Sequence, residues 1–468
     1  MGIDDIEVDL LEATIRRALV RGGDFAEVFV EDRATLGLKL EDRKIEDASG
    51  GREVGAAVRL NDGERTYFAY TDEVDERSLF AAAEAVAAAV RDAGAAHATV
   101  VALGNVRTGG GQHRILVPPE TVTVRLKSQL LRAGDEAARA FSGAVSQAIV
   151  SYSETRQRLL IANSEGGLVH DDRTRLRLVA SVVARREDII QTGFESLGKS
   201  MGFEVLDEDV AAEIGRLAAQ KAVAMLAARP APVGPMPVVL ANGFGGTLFH
   251  EACGHGLEAD SIAKGASIYA GQLGEVVAAP IVTAYDDGAI ANEWGSSAFD
   301  DEGVPTQHTP LIEGGRLTHY LYDRMRARQA GVSPTGNGRR QSFRHVPLPR
   351  MTTTCIAPGD ADPEEIIAAT KRGFYAKSLA GGQVEPASGN FVFGVAEGYL
   401  IENGKVTTPL RGATLVGNGI DVLKNIDMIA GDFLIKSGMC GKDGQSVPVG
   451  TGQGTLRIKE MTVGGTGS

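Results

Sequence analysis

Residues 246–260 read GTLFHEACGHGLEAD, and within them stand two histidines and a glutamate, His250, Glu251 and His255. The pattern is one residue longer than His-Glu-x-x-His, in which two imidazoles on one helix face bind zinc and the glutamate acts as general base. On a regular α-helix positions four apart lie ~40° from one another and can share a metal, whereas positions five apart lie ~140° apart. A straight helix over 247–256 would keep His250 and His255 from a common ion. A π-type turn, with i→i+5 hydrogen bonds, would stack them again. Gly254, directly before His255, is the residue most tolerant of such distortion. The spacing predicts a bulge or bend between Glu251 and His255, with Glu251 directed toward the attacking water. The plain alternative is a chance placement with one histidine at a helix C-terminus, although the chain has only eight histidines to produce such accidents.

A catalytic zinc takes three protein ligands and keeps an open position. The residues of suitable type for the third are Cys253, Glu258, Asp260, Cys355, Cys440 or a distant histidine. Cys253 sits between the histidines, where chelation would strain both. Cys355, in RMTTTCIAP, follows a β-branched polar run and reads as a packed strand thiol. Cys440, in KSGMCGKDGQ, reads as a loop cysteine between strands with Lys436 and Lys442 near it. Such a setting favours the thiolate a metal needs. The residues alone put Cys440 only slightly ahead of Glu258, and no substrate-binding residue stands out.

The elements that must position this segment divide the chain in two. Asp4 to Val20 has helical periodicity and stops at Gly22-Gly23. DFAEVFVED and LGLKLEDRKIEDASGG read as short strands, and GAAVRLNDGERTYFAY as a hairpin turning at Asn61-Asp62-Gly63. Helices are expected over Asp75–Ala93, Val117–Phe141 and Asp207–Ala228, with alternating strands between the last two. Residues 1–229 thus read as an α+β domain, an antiparallel sheet flanked by helices. Four prolines between Pro230 and Pro237 favour an extended linker. Residues 230–468 read as a β-rich domain carrying the distorted histidine helix. LIEGGRLTHYL and LIENGKVTTPL look like two hairpins, and GTLRIKEMTVGG like a final strand. GFGGT and GTGQGT lack the lysine of a phosphate-binding loop and read as turns near the site.

Composition bounds the function. The 468 residues carry a formal net charge of −13, which disfavours general affinity for nucleic acid or anionic membrane. No apolar run approaches the ~20 residues of a membrane-spanning helix. Asp4 and Asp5 stand where a signal peptide needs base, and Ile6 stands where a myristoylation signal wants Ser or Thr. Three cysteines cannot all pair, so a reducing cytoplasm is the expected compartment. No nucleophile elbow or catalytic triad pattern is visible. One segment runs against the acidic balance: residues 324–350 hold seven arginines and no acid. They could grip phosphates, bind substrate carboxylates, or pair with acidic groups of the chain or of a partner.

FHEACGHGLEAD, DDEGVPTQ, NGRRQSFRHVPLPRMTTT, SGNFVFGVAEGYLIENGKVTTPLRGATLVGNG and MCGKDGQSVPVGTGQGTLRIKEMTVGG, in that order, resemble the TldD branch of the TldD/PmbA family. The N-terminal AEVFVEDRATLGLKLEDRKIEDASGGREVGAAVRL resembles it too. The resemblance implies a metallopeptidase acting on unfolded or unstructured peptides. It implies one Zn²⁺ per chain held by His250, His255 and Cys440, with Glu251 as general base. Glu258 and Asp260 are left as supporting or alternative ligands. It also implies a dimer in which this motif-bearing chain pairs with a related subunit lacking the motif, or with its own copy. An older label in the family, modulator of DNA gyrase, keeps the nucleic-acid reading of the 324–350 arginines as the rival.

Overall fold

The computed structural model describes residues 2–90, 100–109 and 112–465. The first half is an antiparallel sheet with helices packed on it. Its long strands are Phe25–Glu41, Lys44–Asp62, Val145–Asn163, Leu168–Arg186 and Ile189–Lys199. The short strands read from sequence near the N-terminus are instead one hairpin with arms of 17 and 19 residues. Its turn is Asp42-Arg43, at φ 48° and 64°. Two-residue turns with positive φ match strand twist, but neither residue is Gly, so the turn left no signal. The hairpin read at Gly63 is present, and Gly63 alone supplies the positive φ while Asn61 and Asp62 stay in the strand.

Period-two alternation sorts the faces of this sheet. Along Phe25–Glu41 the even positions Ala26, Val28, Val30, Leu38 and Leu40 face the helices. The odd positions Glu27, Phe29, Glu31 and Arg33 meet the second half of the chain. Four helices cover the first face: Val8–Ala18, Glu76–Ala89, Val124–Phe141 and Glu208–Met225. Asp75, Thr123 and Asp207 cap the last three by accepting from the N–H groups of Ser78, Leu126 and Val210. The helix read to Ala93 ends at Ala89, and residues 91–93 lie outside the described ones. The one read from Val117 starts only at Val124, because Pro118 and Pro119 shape a short 3₁₀ turn first.

The proline-rich stretch is extended but is not a linker. Gly234–Leu240 lies inside an eight-stranded sheet between Arg372–Glu385 and Leu456–Gly464. Pro235 and Pro237 precede Val238–Leu240, the part paired on both sides, so no shared ladder bond is lost. Asn390–Glu402 pairs back onto Arg372–Glu385 and closes five of these strands into a ring. Val238, Phe374, Phe393, Leu415 and Ile458 from those strands share one core with Leu248, Phe249 and Ala252 of the histidine segment. The ring thereby anchors the site.

A six-stranded sheet ends at the edge strand Leu434–Lys442, paired to Gln445–Gln453. Both expected Gly hairpins form, with Gly314-Gly315 and Asn403-Gly404 at positive φ. GTGQGT is not a turn: Gly450 and Gly452 lie within Gln445–Gln453, parallel to Thr353–Ile356. A Cβ there would meet Thr353 Cγ2 at 2.8 Å and Cys355 Sγ at 2.7 Å, so strand packing demands the glycines. No helix among the described residues is long and apolar enough to cross a membrane.

Candidate metal centre

The predicted distortion is present, but it is not a π-turn. The α-helix Gly246–Ala252 stops at Cys253, whose φ and ψ are −125° and −48°, and the chain resumes as a 3₁₀ turn over Gly254–Leu257. The off-helical Cys253 followed by the tighter winding turns His255 back toward His250. Their rings lie 5.2 Å apart, centroid to centroid, and nearly perpendicular at 82°. Packing around the break demands glycine. A Cβ on Gly254 would overlap the sulfur of buried Met351, and one on Gly256 would lie 2.8 Å from the Tyr269 ring.

Cys440 completes the group. A ligand atom of each of His250, His255 and Cys440 lies within 4.8 Å of the other two, and all three residues are enclosed. Contrary to its reading as a loop residue, Cys440 sits in the strand Leu434–Lys442, opposite Val447. The main-chain carbonyl of Cys440 accepts from Arg350 at 2.7 Å. Burial alone would push the thiol up, yet His250 and His255 outweigh it and bring it down to about 4. The lysines expected to do this are engaged elsewhere: Lys436 on Glu195 and Lys442 on Glu258 and Asp260.

Each histidine is prepared differently. His255 Nδ1 bonds Glu258 at 3.0 Å, leaving Nε2 3.4 Å from Cys440 Sγ. Burial would lower its pKa, but Glu258 and the Cys440 thiolate raise it well above the ordinary imidazole value. His250 has both ring nitrogens buried without a hydrogen-bond partner. A buried polar group left unpaired costs ~1–3 kcal/mol, so an electrophile in contact with it removes a penalty. Two imidazoles and an ionised thiol, with Nδ1 of one ring held by a carboxylate, are a donor set that suits zinc.

Glu258 and Asp260 lie behind the group. Glu258 is fully buried and takes both His255 and Lys442, whose Nζ stands 2.9 Å from it, 2.7 Å from Asp260 and 3.0 Å from the Pro349 carbonyl. Burial raises the Glu258 carboxyl, but His255 and Lys442 hold it down at about 2. Glu251 stands at the mouth, its side chain 26% exposed and its Oε2 3.6 Å from His255 Nε2. Cys253 is sealed in the core, where burial pushes its thiol up to about 12. Cys355 is the strand thiol expected of it.

Domain 1, the central domain and the C-terminal domain of the PmbA/TldA metallopeptidases match residues 26–95, 117–226 and 233–465. The chain belongs to the PmbA/TldD metallopeptidase family. A metalloprotease TldD homolog of Haemophilus influenzae is 42% identical over 455 residues, covering 95% of this chain and 94% of that one. A zinc metalloprotease TldD homolog of Saccharolobus solfataricus is 36% identical over 61% of this chain and 63% of its own. Among solved structures, a Thermotoga maritima protein described as a candidate modulator of DNA gyrase superposes with TM-score 0.81 at 22% identity, over 98% of this chain and all of that one. TldE from Thermococcus kodakarensis superposes with TM-score 0.75 at 20% identity, over 97% and 99%. The protein is therefore a metallopeptidase of the TldD branch.

Five of the seven arginines of 324–350 are engaged inside the molecule by acidic groups or buried carbonyls; Arg326 bonds Gln329 on its own helix and Arg339 bonds the carbonyls of Met351 and Pro448. Arg324 and Arg328 pair with Glu165, Arg340 with Glu27, and Arg344 with Glu53 and Asp72. Arg350 is fully buried on main-chain carbonyls of the Cys440 hairpin. The ion pairs of Arg324, Arg328, Arg340 and Arg344 join the two halves of the chain rather than present a phosphate-binding face. Arg350 and Lys442 are parts of the site's support that sequence reading missed. Arg350 was one arginine among seven, and Lys442 was assigned to the wrong neighbour.

Proposed function

We propose that His250, His255 and Cys440 hold one zinc ion and that the chain hydrolyses peptide bonds in unfolded or unstructured peptides with Glu251 as general base. The observation that carries this reading is His250, whose two buried and unpartnered ring nitrogens belong to a residue grouped with an ionised Cys440. Zinc, when bound, supplies Lewis acidity toward a scissile carbonyl and toward water. Glu251, partly open to solvent beside His255, accepts the proton of the attacking water and returns it to the leaving amine. Glu258 fixes the His255 ring through Nδ1, so that Nε2 points into the group. The edge strand Leu434–Lys442 offers an extended peptide a main-chain partner next to Cys440, which suits low sequence preference.

The working unit in this reading is a cytoplasmic dimer with a related, motif-free subunit, or with a second copy. Residues 1–229 would serve as the framework and 230–468 as the catalytic part. The test is Glu251→Gln assayed on a disordered peptide with metal content measured in parallel. A loss of at least ~100-fold in kcat, within the range of general-base contributions, with zinc retained, supports the assignment. Activity within a few-fold of wild type refutes it.

A further inference from the structure

Between the two halves lies a cavity of about 320 Å³, walled by arginines. Its floor is the face of the first sheet that looks away from the helices. Arg33, Gln157 and Arg173 are cross-strand neighbours there, as are Thr155 and Arg175. Its roof is Arg339, Arg340 and Gln341, and one wall is Trp294, Met439, Val447 and Pro448.

The charges do not balance. Arg173 has Asp171 and Asp301, Arg33 has Glu53, and Arg340 has Glu27. Arg175 and Arg339 form no ion pair among the described residues. Arg175 donates only to the carbonyls of Trp294 and Ser296, at 3.2 and 3.4 Å. Arg339 donates only to those of Met351 and Pro448. Both are buried, at 7% and 6% exposure. A guanidinium removed from water without a counter-ion is costly; burial, with repulsion by Arg173 and Arg339, depresses Arg175 to about 9, and burial, with repulsion by Arg350 and Arg173, depresses Arg339 to about 10. Asp301 is the single carboxylate in the lining, and it is already bound to Arg173.

We propose that this cavity is a carboxylate-binding site for peptides, in which Arg175 and Arg339 grip the carboxylate and the adjoining apolar group lies against Trp294 and Met439. Guanidinium forks match carboxylates bidentately. The volume is at the size of a small-ligand pocket rather than of a lone oxyanion, and the apolar wall calls for an acid joined to a hydrocarbon group. A peptide supplies one at its C-terminus or on an acidic side chain. The site is separate from the metal centre but shares a hairpin with it. Met439 lines the cavity, its neighbour Cys440 faces the histidines, and Arg339 holds the carbonyl of Pro448, which pairs with Met439. The choice of a peptide as bearer of the carboxylate rests on the peptidase reading; the anion site does not.

Trp294 is the only tryptophan in the chain, so its fluorescence reports occupancy. The full chain is titrated with acetyl-Ala-Ala-Phe as free acid, with its amide, with amidated acetyl-Ala-Asp-Ala, and with inorganic phosphate. Each titration is run after chelation and again after zinc loading, and each is checked by calorimetry. A saturable response to the free acid, at least tenfold weaker for the amide, is expected with and without zinc. Arg175→Gln is expected to weaken it at least tenfold. Met439→Glu, on a side chain half exposed and so tolerant of change, is expected to do the same by supplying an internal carboxylate. Equal binding by the Asp peptide would assign the side-chain carboxylate as the source within the same site. Equal affinity for acid and amide, no binding by either method, or saturation by phosphate that the free acid cannot displace would each overturn the proposal. Loss of zinc or of turnover would leave these titrations unchanged, so the two readings fail separately.

Discussion

Replacing Lys442 by Met removes the cation that two carboxylates share. Its Nζ stands 2.9 Å from Glu258 and 2.7 Å from Asp260, with side-chain exposures of 12%, 1% and 7% for the three residues. Methionine keeps the length of the stem but neutralises nothing. Removing one partner of a buried pair costs ~3–5 kcal/mol. Glu258 keeps His255 as a counter-charge, so the lower end, ~3 kcal/mol, is expected. For a cooperative unit of roughly 150–250 residues each kcal/mol moves Tm by ~2–4 °C, and the variant is expected to melt ~6–12 °C lower at pH 7 in chelator.

The pH dependence fixes the cause. In the wild type the Glu258 carboxyl is depressed, so its contribution is present above its ordinary value and fades as pH falls toward about 2. Lys442 is raised despite its burial, because Glu258 and Asp260 face it, so its contribution is present below the ordinary lysine value and fades as pH rises through the raised one. The wild type therefore holds the full benefit between roughly pH 4.5 and 10.5. In Lys442→Met, Glu258 without its lysine protonates at higher pH, and the deficit shrinks as pH is lowered from 7 to 5. Scanning calorimetry of the chelated proteins at pH 5, 6, 7 and 8 measures both quantities. A shift under 2 °C, or one independent of pH, would refute the reasoning.

Gly254→Ala puts a methyl group into Met351; a loss of ~1–3 kcal/mol and of zinc retention is expected, read by melting and by metal analysis. Phe343→Ala empties the fully buried ring that joins Phe29, Leu159 and Ile161 of the first half to Phe299 of the second. It is expected to cost ~3–5 kcal/mol and to raise protease cleavage between the halves. Cys440, held at about 4, is expected to show thiolate absorbance at 240 nm down to pH 5 in chelated protein. That signal should be missing from Cys440→Ser, whereas Cys253, pushed up to about 12, contributes none.

What could be read in advance followed local chemistry. Gly hairpins and the helical stripe Leu11, Ile15, Ala18 are written in neighbouring residues. The bend between Glu251 and His255 was also legible, because five-residue spacing and Gly254 demand one, but its form was not. A π-turn and a break at Cys253 satisfy the same spacing, and Met351, which packs against Gly254, lies far along the chain. The Asp42-Arg43 turn was hidden because tertiary pairing of 17- and 19-residue arms overrides the preference for Gly. Cys440 was placed by family resemblance, not by spacing, since strand pairing at distant residues sets its position. The arginines of 324–350 looked like a patch because their partners, Glu27, Glu53, Asp72 and Glu165, precede them by more than 150 residues.

The measurement closest to the central claim is metal per chain by plasma mass spectrometry after zinc loading and desalting, for wild type and Cys440→Ser. The account predicts about one zinc per wild-type chain, as expected of a three-ligand site, and its loss in the variant. Zinc retained by Cys440→Ser, or none in the folded wild type, would contradict it.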